Sequence, residues 1–365
     1  MAALSKPAAL NGICPYFTMF PLDFPLGILH KRATEGDWVL DPFCGRGTTN
    51  LAARLLGLPS LGIDSNPVAT AITASKLVDT TVKDIMREAR DILAGPPPAA
   101  VPEGEFWKWA YHRETLETVC RFREAFLHDC RSPARVALRG IILGALHGPR
   151  QKAFPGYFSN QCPRTYAPKP AYSIGFWKNR GLKPQNVDVF AVIERRVIRY
   201  YSDLPTGIGV CQLADSRRPE SIQLVAPRGR FRWIITSPPY YGMRTYRPDQ
   251  WLRNWFLGGP ETVDYSNDDQ VVHSSPEAFA ADLSAVWRNV VEVSASNARM
   301  VIRFGGISDR RVDPLDIIKN SLKGSGWQIK TIRQAGNASD GKRQADAFLR
   351  KESKPIAEYD VWAVN

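Results

Sequence analysis

The nine residues Asp41 to Thr49 read DPFCGRGTT and follow directly on the apolar run Trp38-Val39-Leu40. A short apolar run ending in a turn with two glycines reads as a buried parallel strand entering a tight strand-to-helix turn. Residues 48–56 carry Leu51, Ala52, Leu55 and Leu56 at helical spacing and close at Gly57 and Pro59, the composition of a helix with a glycine stop. SLGID, residues 60–64, is a second short strand, and Pro67 opens a second helix running to Leu77. Strand, helix, strand is a βαβ unit. Gly45 and Gly47 allow a ligand close to the backbone at a helix N-terminus, where N–H groups meet an anion. Asp64, about 20 residues on at the end of the next strand, suits ribose hydroxyls.

Working outward, residues 82–93 form an amphipathic helix (Ile85, Met86, Ala89, Ile92, Leu93) that stops at Gly95-Pro96-Pro97-Pro98. Residues 114–128 and 134–147 look helical, whereas residues 150–185 are aromatic, basic and rich in Pro, Gly and Asn. Strand-helix alternation resumes at about Gly207. IGVCQLAD and RFRWIIT read as strands, residues 276–293 as a helix, ARMVIRF as a strand, residues 316–323 as a helix, and WQIKTIRQ and YDVWAV as closing strands. The expected organisation is a doubly wound α/β domain in two parts, 1–95 and 206–365, interrupted by residues 96–205.

A second motif, TSPPYYG at residues 236–242, follows the strand RWII. Pro238 and Pro239 fix an extended turn and remove two N–H donors, leaving carbonyls free to accept. The Ser237 hydroxyl, the Pro238 carbonyl and the Tyr240 ring together suit a planar heterocycle bearing an exocyclic amine. Asp215, ending the strand IGVCQLAD, has the character of an acceptor for an adenine amino group.

The two motifs together resemble those of the amino-methylating DNA methyltransferases. That family's first motif, D-P-F-x-G-x-G-T-T, is matched at Asp41, Pro42, Phe43, Gly45, Gly47, Thr48 and Thr49. Its second, D/N/S-P-P-Y/F, is matched at Ser237, Pro238, Pro239 and Tyr240. The segment from Tyr16 and Phe17 to Phe20 is similar to the family's outer cofactor motif. The resemblance implies a seven-stranded Rossmann-like class I methyltransferase sheet with a reversed final hairpin, here interrupted by a mainly helical or irregular basic insert. It implies S-adenosyl-L-methionine as cofactor, with Phe43, Gly45 and Gly47 against its methionine part, Asp64 on the ribose and Asp215 near the adenine. It also implies double-stranded DNA as substrate and a flipped-out base whose exocyclic nitrogen is methylated. Serine at the head of the second motif is commoner in this family among cytosine-N4 enzymes, so cytosine N4 is expected, with adenine N6 second. An RNA guanine amino-methyltransferase and a non-enzymatic DNA-binding relative are further alternatives. No Pro-Cys dipeptide occurs, which disfavours ring-carbon methylation of cytosine.

The 365 residues carry 48 Lys and Arg against 36 Asp and Glu, a net charge of +12. Residues 131–200 alone hold 13 bases and two acids, so nearly the whole surplus sits in this one central stretch. This is the expected grip on a polyanion. Arg150, Lys152, Arg164, Lys169, Lys178, Arg180, Arg195, Arg196 and Arg199 are its candidate DNA-binding residues. Residues 241–269 read as a polar, aromatic stretch suited to a surface loop, a lid or a second DNA contact. The six cysteines lack any C-x-x-C spacing and the five histidines form no metal-binding motif, so neither a metal nor a disulfide scaffold is expected. No apolar run approaches the ~18 residues of a membrane span, and residues 1–10 have no secretory apolar core. The expected location is the cytoplasm, with a companion restriction or defence system as a possible partner.

Overall fold

The computed structural model describes residues 6–16, 20–148, 155–160, 162, 169–223, 229–242, 247–263, 275–306, 312–337 and 357–365. The chain forms two compact units. One comprises Phe17–Thr73, Gly207–Thr245 and Asp268–Asn365; the other comprises Met1–Tyr16, Ala74–Thr206 and Tyr246–Asn267.

The first unit is built on a seven-stranded sheet: β1 Trp38–Asp41, β2 Ser60–Asp64, β3 Gly209–Leu213, β4 Phe231–Thr236, β5 Ser294–Gly305, β6 Gln328–Asn337 and β7 Ala357–Val364. The order across the sheet is β3-β2-β1-β4-β5-β7-β6. β1 pairs in parallel with β2 and β4, while β7 runs antiparallel to β5 and β6. This is the seven-stranded sheet with a reversed last strand that the resemblance implies. β1 and β4 are apolar almost throughout because both faces are covered, as parallel strands require. Leu40, Ile63, Ile234, Met300, Ile302, Phe279 and Trp287 belong to one buried cluster. The helix Pro276–Val293 is started by the Ser275 side chain, which accepts from the Ala278 N–H, with proline in its first turn. The strand order reverses between β1 and β4, and such a switch point leaves a crevice beyond the carboxyl ends of the strands.

The second unit is helical. Its helices are Val82–Ala94, Glu105–Ala110, Arg113–His128, Pro133–Ala145, Pro170–Lys178, Val189–Tyr201 and Arg247–Phe256. Their core is aromatic, with Trp107 against Trp255 at 4.6 Å between ring centres and Phe106 against Trp251 at 4.8 Å. Residues 74–95 lie in this unit because the apolar face of Val82–Ala94 packs on the helices Pro133–Ala145 and Val189–Tyr201. Two local differences from the sequence expectation follow from burial. Within the stretch expected to be irregular, Pro170 opens a helix that buries Trp177 completely. Within 241–269, a helix rather than a surface loop forms, because Trp251, Leu252, Trp255 and Phe256 recur at helical spacing and are all buried. Among the described residues no helix is long and apolar enough to cross a membrane.

Candidate active site

The turn after β1 is built as its glycines require. Gly45 and Gly47 have φ of 52° and 74°, the left-handed region that other residues rarely adopt. A Cβ on Gly47 would stand 2.6 Å from Thr73 Cγ2, so the position has neither the backbone nor the space for a side chain. Gly47 caps the helix Thr48–Leu55. The Gly45 N–H donates to Asp64 Oδ2 at 2.9 Å, and the Asn66 N–H donates to Asp64 Oδ1 at 2.9 Å. Burial pushes the Asp64 carboxyl up from its ordinary value, and these two N–H bonds pull it back. Each carboxylate oxygen has more than one acceptor direction, so the two bonds fix the group without exhausting it.

Asp41 is fully buried at the end of β1. Its Oδ1 accepts from the Thr236 hydroxyl at 2.7 Å and from the Phe43 N–H at 3.2 Å. Its Oδ2 has no hydrogen-bond partner among the described residues. Burial, only partly offset by the neighbouring Thr236 and Thr49 hydroxyls and the Phe43 N–H, raises the Asp41 carboxyl to about 7. Thr49, also buried, donates to the Ile235 carbonyl at 3.1 Å. Two side-chain bonds therefore lash the glycine turn after β1 to the end of β4, immediately ahead of Ser237. Phe43 is half-buried, edge-on to Trp287 with ring centres 6.0 Å apart, and Thr48 is buried.

Ser237 and Pro239 are half-buried, Pro238 and Tyr240 buried. No hydrogen bond from another described residue engages the Ser237 hydroxyl or the Pro238 carbonyl. Two acceptors thus stand uncommitted at the carboxyl end of β4, beside the glycine turn. Tyr240 is less open than a ring laid bare for stacking. It packs edge-on against Phe304, with ring centres 5.2 Å apart, and its hydroxyl donates to Glu358 Oε1 at 2.7 Å.

Asp215 is held by Arg217, whose Nη2 lies 2.7 Å from Oδ2 and whose Nε lies 3.0 Å from Oδ1; Arg217 also reaches Asp282 at 3.0 Å. Burial would raise the Asp215 carboxyl, but the Arg217 bonds win and hold it below its ordinary value. Tyr16 is buried in the helical unit, and Phe17 lies outside the described residues.

Of the basic candidates, Arg150, Lys152 and Arg164 lie outside the described residues. Lys178, Arg180, Arg195 and Arg199 are exposed, Lys169 and Arg196 half-buried. Lys169 pairs with Asp249 at 3.6 Å, Lys178 pairs with Glu105, and Arg180 lies over the Phe176 ring at 4.2 Å. Arg195 donates to the Pro155 carbonyl at 3.0 Å. Arg196 is committed to the fold: it donates to the carbonyls of Gly156, at 3.2 and 3.3 Å, and Ile13, at 3.4 Å, and lies over the Tyr157 ring.

The glycine turn fits S-adenosylmethionine on its own chemistry. Two carboxylates, Asp41 with an unpartnered buried oxygen and Asp64 bonded to the turn, suit a ligand with an ammonium, a sulfonium and ribose hydroxyls. Three residues of this site escaped the sequence: Thr236, Arg217 and Glu358. Thr236 heads the TSPPYYG stretch but has no assigned role there, and Arg217 stands two residues from Asp215. Glu358 is 118 residues beyond Tyr240, and no local pattern points to it.

The DNA methylase family matches residues 5–75. Over 36 residues, 10% of this chain, the protein is 53% identical to the type II methyltransferase M.BsoBI of Geobacillus stearothermophilus, of which that stretch is 7%. It is 31% identical over 84 residues to M.MjaII of Methanocaldococcus jannaschii, covering 23% of this chain and 16% of that protein. It is 36% identical over 62 residues to M.XycI of Xanthomonas campestris pv. cyanopsidis, covering 17% and 21%. The matched stretches thus span about a fifth or less of those relatives. Over these stretches the chain is similar to DNA amino-methyltransferases, in agreement with the paired motifs.

Proposed function

We propose that the protein is a DNA amino-methyltransferase, a site-specific enzyme acting on the N4 amine of cytosine in double-stranded DNA. The observation that carries the reading is the 2.7 Å bond from Thr236 to Asp41. It sets the cofactor turn and the Ser-Pro-Pro-Tyr turn side by side at the switch point of the sheet, where methyl donor and acceptor must meet.

When bound, S-adenosylmethionine supplies an electrophilic methyl group on a sulfonium. Phe43, Gly45, Gly47 and Thr48 would shape its turn, Asp64 would hold the ribose hydroxyls, and Asp41 and Thr49 hold the turn against β4. Asp215, held by Arg217, would border the adenine. A base stacked in a duplex cannot reach such a site, so the nucleotide swings out at a cost of a few kcal/mol. The exocyclic amine is a poor nucleophile while its lone pair is shared with the ring. Ser237 Oγ and the Pro238 carbonyl accept its two hydrogens and favour the tetrahedral nitrogen of the transition state. Pro239 stiffens the turn, and Tyr240 provides a wall for the base. The rest of the acceleration is positioning. Serine in place of an acid at position 237 supports cytosine over adenine. The exposed bases of the helical unit, Lys178, Arg180, Arg195 and Arg199, supply phosphate contacts.

The test is to incubate the purified protein with S-adenosylmethionine and unmethylated plasmid DNA, digest the DNA to nucleosides and identify the methylated one by mass. N4-methylcytosine is expected. N6-methyladenine would transfer the assignment to adenine, and unmodified DNA with methylated RNA in a parallel reaction would overturn DNA as substrate. Ser237→Ala should reduce methyl transfer at least ~10²-fold, the scale for losing one preorganised polar contact to a transition state, while leaving cofactor affinity unchanged.

A further inference from the structure

Tyr240 is held at both ends. Its backbone follows two prolines, and its hydroxyl ends on Glu358 Oε1 at 2.7 Å. Glu358 lies on β7 and is opposed by glycine on both sides: Gly305 of β5 and Gly336 of β6. A Cβ on Gly305 would stand 3.0 Å from Glu358 Cγ and 3.2 Å from Tyr240 Cε2. A side chain at position 305 would thus crowd both the glutamate stem and the tyrosine ring. A glycine in a strand interior weakens the strand and marks a close approach; here the approach is that of this pair. Phe304 closes the other flank, edge-on to the ring.

We infer that Glu358 is a positioning residue: by holding the Tyr240 hydroxyl it fixes the plane of the ring against which the extruded base is laid. The inference rests on the methyltransferase reading of the Ser-Pro-Pro-Tyr turn and adds to it a residue outside both motifs. The chemistry is specific. A carboxylate accepting from a phenol makes a charge-assisted bond, stronger than a bond between neutral groups. A tyrosine has two side-chain torsions; β4 and the prolines restrain the root, and Glu358 restrains the tip. The ring is oriented before any base arrives, so its ordering does not subtract from base binding. No reacting atom touches Glu358, and no proton need leave it.

The test compares wild type, Glu358→Ala, Glu358→Gln, Tyr240→Phe and the double variant Tyr240→Phe/Glu358→Ala. The substrates are unmethylated plasmid DNA and tritiated S-adenosylmethionine, with kcat and the KM for DNA read separately and cofactor affinity measured by titration. Glu358→Ala and Tyr240→Phe should each lower kcat roughly tenfold, the scale of one lost positioning hydrogen bond, with cofactor affinity unchanged. The double variant should be no worse than either single one, because both remove the same bond. Glu358→Gln, whose amide oxygen still accepts, should recover most of the rate. Full activity in Glu358→Ala, or losses that multiply in the double variant, would overturn the inference. If Glu358→Ala fails to fold, Tyr240→Phe breaks the bond from the other end, and its unchanged kcat would overturn the inference equally. A wild-type protein that methylates no DNA would instead defeat the methyltransferase reading, so the two failures are distinguishable.

Discussion

Asp41 answers two opposed demands. Its carboxylate ties β1 to Thr236, yet it sits where water does not reach, so burial raises its titration from the ordinary 3.8 to about 7. In that interval the folded protein binds a proton that the unfolded chain has released. Stability therefore falls as pH rises from about 4 to about 7, and the loss is complete above the folded value, on the order of a few kcal/mol. Asp41→Asn, neutral throughout, should flatten this fall; urea unfolding of both proteins without cofactor at a series of pH values measures it. An unchanged slope would mean that Asp41 stays charged in its pocket. Gly47 is subject to a different constraint, of space. Gly47→Ala should cost at least ~1–2 kcal/mol from its left-handed backbone alone, with more added by the Thr73 contact. A loss of cofactor affinity in titration should accompany the loss in thermal stability. These residues were legible in the sequence because a tight turn at a helix N-terminus demands glycines at fixed offsets. Glu358 was not, since strand pairing brings it to Tyr240 across 118 residues, and the pairing of β7 with β5 leaves no mark in local composition.

At the scale of the element, the helices show where sequence periodicity served and where polarity misled. β1, β2, β4 and the helix Pro276–Val293 stood out because apolar runs and caps agree there. Arg247–Phe256 was obscured by the arginines, asparagine and aspartate around its apolar face, which give the stretch the look of a loop. One of those arginines is itself internal. Arg253 is 2% exposed and donates to the Leu143 carbonyl at 3.2 Å, to Gln250 Oε1 at 3.3 Å and to the His147 carbonyl at 3.5 Å. It caps carbonyls near the end of Pro133–Ala145, a helix with no basic residue in its last turn. Arg253→Met, which keeps the apolar stem, should still destabilise the helical unit by about 2–4 kcal/mol, because buried carbonyls lose their donor. Trp255→Ala should cost about 3–5 kcal/mol through the cavity it leaves. Denaturant midpoints followed by tryptophan fluorescence and by circular dichroism test both. A change near zero in Arg253→Met would show that water can replace the guanidinium.

Across the whole molecule, charge and chemistry occupy different stretches of chain. Both motifs fall in the sheet unit, while residues 131–200 carry 13 of the 48 basic residues and only two of the 36 acidic ones. Counting charge does not reveal which bases are available, however, and the three arginines of Val189–Tyr201 divide sharply. Arg195 and Arg199 are exposed, whereas Arg196 is spent on the carbonyls of Gly156 and Ile13. On the proposed reading, each exposed base that neutralises a phosphate adds about 0.9 to the slope of log affinity against log salt. Replacing Arg195 and Arg199 together with alanine should therefore weaken plasmid binding and reduce that slope by up to ~2, with little change in melting temperature. Arg196→Ala should do the reverse, lowering the melting temperature while leaving the slope nearly intact. Binding isotherms at several potassium chloride concentrations, with a melting curve for each variant, separate the two behaviours. If Arg195 and Arg199 leave the slope untouched, the helix Val189–Tyr201 is not the DNA-facing element, and the grip belongs to the bases around Pro170–Lys178.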